Sequence, residues 1–111
     1  MSNIPHVQYQ ATLPFNGTEG RGLFEFKGDV NITELDLVMG TASKDIRIEK
    51  VLKNDPSVRT ALIYEKLATS LSDLVLGSGL VGRVSNKESL KVTITAGAPI
   101  RAQVMTEELK G

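Results

Sequence analysis

The chain has 111 residues, no cysteine, 13 basic and 13 acidic side chains, and a formal net charge of zero. A length of this order suits one domain, able to bury roughly two-thirds of the surface its unfolded form exposes. The absence of cysteine excludes disulfides, thiolate metal sites and cysteine nucleophiles, and the even charge argues against a general phosphate-binding surface.

The opening MSNIPHVQYQ has neither a basic n-region nor an apolar h-region, so no signal peptide is expected there. No apolar run approaches the roughly 18 residues a membrane span needs. Val7, Tyr9, Ala11 and Leu13 then alternate with polar residues, a period of two that predicts a half-buried strand ended by Pro14. FNGTEGRG, residues 15–22, carries three glycines and an Asn-Gly pair and reads as a turn or mobile loop. In LFEFKG, Phe24 and Phe26 share one side, with Glu25 and Lys27 on the other. Leu35, Leu37 and Met39 predict a further strand. Asn31 and Glu34 would suit the cap of a short helix, but Gly40 arrives too soon for a stable one. Ile46 and Ile48 continue the alternation, which breaks at Lys50-Val51-Leu52 and suggests a bulge or a strand end. Leu90, Val92 and Ile94, then Ile100, Ala102 and Val104, flank the turn Ala96-Gly97-Ala98-Pro99 and read as a hairpin-like pair.

DPSVRTALIYEKLATSLSDLVLG, residues 55–77, supports two readings. As a helix it places Ala61, Tyr64, Leu67, Ala68, Leu71, Leu74 and Val75 on one face. Asp55 is then the N-cap, Pro56 the first helical residue and Gly77 the residue past the end, while Val58, Leu62 and Leu76 fall on the polar side. As strands it runs Thr60–Leu67 with Ala61-Leu62-Ile63-Tyr64 covered on both sides. It turns at 68–72 and resumes at Asp73–Leu76 and Leu80–Val84 around a Gly-Ser-Gly kink. Local residues favour the helix. The short strands on either side favour strands, because tertiary context overrides helix propensity. The expected fold is therefore an all-β, jelly-roll-like antiparallel β-sandwich over residues 1–111, with a mobile N-terminus, loop 16–22 and C-terminal tail 106–111. The alternative is α+β with one helix at about 56–76.

No residue cluster announces a reaction. Gly77-Ser78-Gly79-Leu80-Val81-Gly82 matches the G-x-G-x-x-G dinucleotide pattern, but Arg83–Glu88 is too short and polar to be the helix that would face a pyrophosphate. His6 is the single histidine, which leaves no triad and no histidine metal site. Glu34 with Asp36, and Glu107 with Glu108, read as solvated charges rather than as an acid–base pair, which would need burial. The basic run Lys44, Arg47, Lys50 and Lys53 is interrupted by Asp45, Glu49 and Asp55 and has no interleaved aromatics, so no nucleic-acid partner is expected. There is no Trp, and Tyr9 and Tyr64 read as strand residues rather than a sugar platform. No catalytic, cofactor-binding or metal-ligating residue is assigned, and no cofactor is expected.

The order of features does resemble a known class. TLPFNGTEGRGLFEFKGDVNITELDLVMGTASKDIRIEKVLKN, followed later by SLKVTITAGAPIRAQV, is similar to the small β-sandwich proteins that decorate or cement tailed-phage virions and to related fibre-base modules. The resemblance covers most of the chain, rests on pattern and length, and carries no functional residue over. It implies a non-enzymatic structural subunit of a virion, assembled in a host cytoplasm, that stabilises the shell by protein–protein contacts. The partners it implies are further copies, a trimer being favoured, and a major capsid or other virion protein, with no membrane. Two other readings stand beside it: a small carbohydrate- or ligand-binding sandwich module, and an enzyme or nucleotide-binding domain built on Gly77–Gly82.

Overall fold

Period-two alternation becomes strands wherever one face finds a core, and here it does so almost throughout. The computed structural model describes residues 6–13, 15–16, 19–95 and 100–108, with side chains for 22–77, 79–95 and 101–107. The strands are β1 (His6–Leu13), β2 (Phe15–Asn16), β3 (Glu19–Glu25), β4 (Val30–Val38), β5 (Lys44–Leu52), β6 (Asp55–Thr69) and β7 (Asp73–Gly77). One helical turn, α1 (Ser78–Val81), precedes β8 (Gly82–Val84), β9 (Glu88–Thr95) and β10 (Ile100–Glu108). All pairings are antiparallel.

One sheet has the order β1-β10-β4-β7, with β8 also on β4; the other has the order β2-β3-β9-β5-β6. Setting aside the two-residue β2 and the three-residue β8, the chain passes between the sheets at every step except the β5–β6 hairpin. That path, two interleaved Greek keys over eight strands, is the jelly roll expected from the sequence. The helix alternative at 56–76 is corrected: β6 and β7 span that stretch, and the one α-helix among the described residues has four residues.

The core is Phe24, Phe26, Val30, Ile32, Leu35, Leu37, Ile46, Ile48, Leu76, Leu90, Val92, Ile94 and Val104 with their neighbours, all buried between the layers. In β4 the inward residues change phase, from Val30 and Ile32 to Leu35 and Leu37. Thr33 is the cause. Opposite β10, Met105 faces Glu34 and Thr106 faces Ile32, which leaves Thr33 as an extra residue. Its Oγ1 donates to the Met105 carbonyl at 3.0 Å, so the bulge is held by a side-chain bond.

Other expectations are corrected in detail. The predicted β9–β10 hairpin is not formed: β9 pairs with β3 and β5, while β10 pairs with β1 and β4 in the opposite sheet. The turn predicted at 96–99 lies outside the described residues. Much of the predicted loop 16–22 is strand, as is the predicted tail up to Glu108. The break at Lys50-Val51-Leu52 marks the expected strand end, since β5 stops at Leu52, and not a bulge in β5, whose register against β9 runs unbroken from Asp45 to Leu52. The irregularities lie between β5 and β6. Lys50 sits where the sheet reaches its rim, and its Nζ donates to the Arg83 carbonyl at 2.9 Å.

The glycine motif acquires a backbone role. Gly77 closes β7 in extended conformation, and Gly82, at φ 69° and ψ −140°, returns the chain to strand after α1. A Cβ at Gly79 or Gly82 would meet nothing within 4 Å, so only the dihedral separates them. Gly82→Ala is expected to cost about 1–3 kcal/mol through strain, and Gly79→Ala less than about 0.5 kcal/mol. Urea midpoints check this. Equal losses would remove the assigned role of Gly82.

Candidate assembly surfaces

β6 has 15 residues and is the outermost strand of its sheet, paired among the described residues with β5 alone. Its length is set by β-branched and aromatic residues and by two half-buried anchors, Ile63 and Tyr64, that pack against the core. At its start Asp55 Oδ1 accepts from the Ser57 amide at 3.3 Å and the Ser57 hydroxyl at 2.6 Å. The bond a helix cap would make is therefore formed, but no helix follows. Pairing with β5 gives the backbone its partners and still buries Ile63 and Tyr64.

The expectation that Ala61–Tyr64 is covered on both sides is corrected. Leu62 is 46% exposed and Leu67 60% exposed, because among the described residues β6 ends the sheet and its outer side meets no second layer. Around them the outer face carries two ion pairs between β5 and β6. Arg47 Nε donates to Glu65 Oε2 at 2.8 Å, and Arg59 Nη1 to Glu49 Oε2 at 3.4 Å. The Glu65 carboxylate raises the Arg47 pKa above its ordinary value, first through that hydrogen bond and then through its charge. Four register irregularities against β5 give the strand the extra residues that twist an edge.

The other sheet also presents an uncovered outer face. Val38, Val75 and Met105 stand exposed there, Val75 opposite Asp36 and Met105 opposite Glu34. Glu34 and Asp36 are two apart on β4 and therefore share that face. A hydrogen bond with Asp36 raises the Glu34 pKa, helped by the Asp36 charge and by desolvation. Asp36 Oδ1 is closed off from solvent with no hydrogen-bond partner. With its folded pKa above 4.5, Glu34 binds more protons folded than unfolded between the two values, so this pair adds stability as pH falls through that window.

The basic run does not form one surface. Lys44 is buried, Arg47 faces Glu65, Lys50 reaches the Arg83 carbonyl, and Lys53 Nζ donates to the Phe26 carbonyl. Beside Lys53, an open depression between the β5–β6 and β8–β9 turns is lined by Leu52, Lys53, Asn54, Asn86 and Lys87. Glu88 braces these turns. Burial pushes its carboxyl up, but the Thr60 hydroxyl at 2.6 Å, the Ser85 amide and Lys50 together hold it below its ordinary value. Among the aromatic side chains described, Phe24 and Phe26 are buried and Tyr64 packs on the core, so none forms a stacking platform for a sugar. Among the described residues no group of three or more His, Asp or Glu stands together as metal ligands, and no helix is long and apolar enough to cross a membrane. Gly77–Gly82 brackets the one-turn α1, without the longer helix a pyrophosphate site requires. The His6 side chain and Glu108 side chain lie outside the description; Glu107 is half-buried on β10.

Sequence reasoning missed the free edge and the Glu34–Asp36 contact. One signal for the edge was present: Leu62 fits neither a helical apolar face nor the alternation of its neighbours.

No family model and no curated protein matches the chain. Solved structures do. One is the Drosophila NLP core, whose report concerns pentamer formation and histone binding: TM-score 0.45, 15% identity, covering 93% of this chain and 98% of that one. Another belongs to infectious bursal disease virus, Gx strain, with TM-score 0.40 and 9% identity; the match covers 98% of this chain but 32% of that one.

Proposed function

We propose that the chain is a non-enzymatic structural subunit of a virion, a decoration or cement protein that stabilises a shell by non-covalent contacts. The observation that carries this is the 15-residue edge of β6, unpaired on its outer side among the described residues, with Val58, Leu62 and Leu67 exposed along it. A long strand edge, unpaired among the described residues, is a template for pairing with another chain. The second uncovered face, with Val38, Val75 and Met105, supplies a separate surface for a shell partner. A subunit acting in this way needs a rigid two-layer core and apolar contact area rather than a reactive pocket.

The test is quantitative mass spectrometry of particles purified from cells that express the gene. The expected result is the chain at a fixed stoichiometry to the major shell protein, with loss of shell stability when the gene is deleted. Particles that lack the chain, or that withstand heat equally without it, would overturn the proposal.

A further inference from the structure

We infer that β6 pairs with β6 of a second copy about a two-fold axis through Leu62, making one continuous sheet across the dimer. The inference rests on the reading of the chain as a contact-forming structural subunit, and it names the contact. The five residues Thr60–Tyr64 at the centre of β6 carry no charge, and Arg59 and Glu65 flank them symmetrically, three positions to either side of Leu62. Both lie on the outer face, where they meet Glu49 and Arg47. Antiparallel pairing about Leu62 sets each Arg59 opposite the partner's Glu65. Because Glu49 already holds Arg59 and Arg47 already holds Glu65, the contact links four charges of alternating sign across the seam, twice over. Between the two networks Leu62 meets the partner's Leu62, covering side chains that are 46% exposed in one copy. Ala61 stands opposite the partner's Ile63, and Thr60 opposite the partner's Tyr64.

The register is selective. A slip of one residue one way sets Arg59 against the partner's Lys66, like against like. A slip the other way sets Val58 against the partner's Glu65, and either slip turns outer-face residues toward the inner face. Free backbone groups along the outer side of β6 supply the ladder, and the flanking charges fix where it forms. The contact is isologous and closes at two copies; a trimer would need another surface.

The chain's lack of cysteine makes the test clean. Residues opposite on paired strands stand roughly 5 Å apart at Cα, within disulfide reach. Leu62→Cys is expected to form a disulfide-linked dimer under mild oxidation, whereas Leu23→Cys, exposed on the outer face of β3, is not. By sedimentation, Arg59→Glu weakens self-association by about tenfold or more, and R59E/E65R recovers it. The double variant keeps both repulsions inside each copy and restores attraction only between copies. Circular dichroism confirms folding; if Arg59→Glu unfolds, the cysteine pair decides. Equal cross-linking at positions 62 and 23, or association indifferent to the charge swap, would overturn the pairing while leaving the structural role standing. A chain that is monomeric at every concentration and absent from particles would remove both.

Discussion

Leu35→Ala lowers the unfolding free energy by about 2–5 kcal/mol, a large share of the roughly 5–15 kcal/mol a domain has. Leu35 is fully buried on β4, and the truncation leaves a cavity between two layers that cannot collapse onto it. Its inward position depends on the Thr33 bulge: Ile32 and Leu35 are three apart, so in an unbulged strand of the same sequence one of the two would face solvent. The control is Val38→Ala on the same strand, exposed on the outer face, with an expected change within about 0.5 kcal/mol. Guanidinium midpoints with an unchanged slope report both values. Equal losses at 35 and 38 would mean that β4 is not oriented as described.

Lys44→Glu is expected to cost on the order of 3–5 kcal/mol, and Lys44→Met less than about 2 kcal/mol. Lys44 is 2% exposed at the start of β5, and its Nζ donates to the Leu71 carbonyl at 2.8 Å. That carbonyl belongs to residues 70–72, which carry the chain from β6 in one sheet to β7 in the other. The Met39 amide donates to the Ser72 carbonyl at 2.8 Å, so the crossover is fastened from both layers. A carboxylate at 44 would face a carbonyl with no donor between them, whereas methionine keeps the buried stem and loses one bond. Burial also lowers the Lys44 pKa from 10.5. The folded state then binds fewer protons than the unfolded state between the lowered value and 10.5, so stability rises with pH through that window. Denaturant midpoints from pH 7 upward should show this rise in the parent chain and its loss in Lys44→Met. A rise that persists in Lys44→Met would assign it to another group.

The strands that border the core on a full face were legible in the sequence, because burial imposes alternation on them: Leu35 and Leu37, Ile46 and Ile48, Leu90, Val92 and Ile94. The jelly-roll path was not legible from the β9–β10 pair. Two consecutive strands joined by a four-residue turn look like a hairpin in sequence, and only the packing of β3 and β5 on β9 sends β10 to the other sheet. β6 misled for a different physical reason. An edge strand is buried on one side at most, so its apolar residues need not alternate, and its irregular register brings Ile63 and Tyr64, adjacent in sequence, to the core together. The resulting spacing imitates a helical face. The Glu34–Asp36 contact was foreshadowed by spacing alone, since residues two apart on a strand share a face, but the closing off of Asp36 Oδ1 depends on neighbouring strands that no local pattern reveals.

In the proposed dimer, the outer backbone of β6 finds its partner in another molecule. Hydrogen exchange of the Arg59–Glu65 amides across a dilution series addresses this directly. The expected result is protection that rises with protein concentration in this segment while the core amides of Ile48 and Val92 stay unchanged. Rapid exchange of the segment's outward-facing amides at every concentration, in a sample that sedimentation shows to be associated, would contradict it.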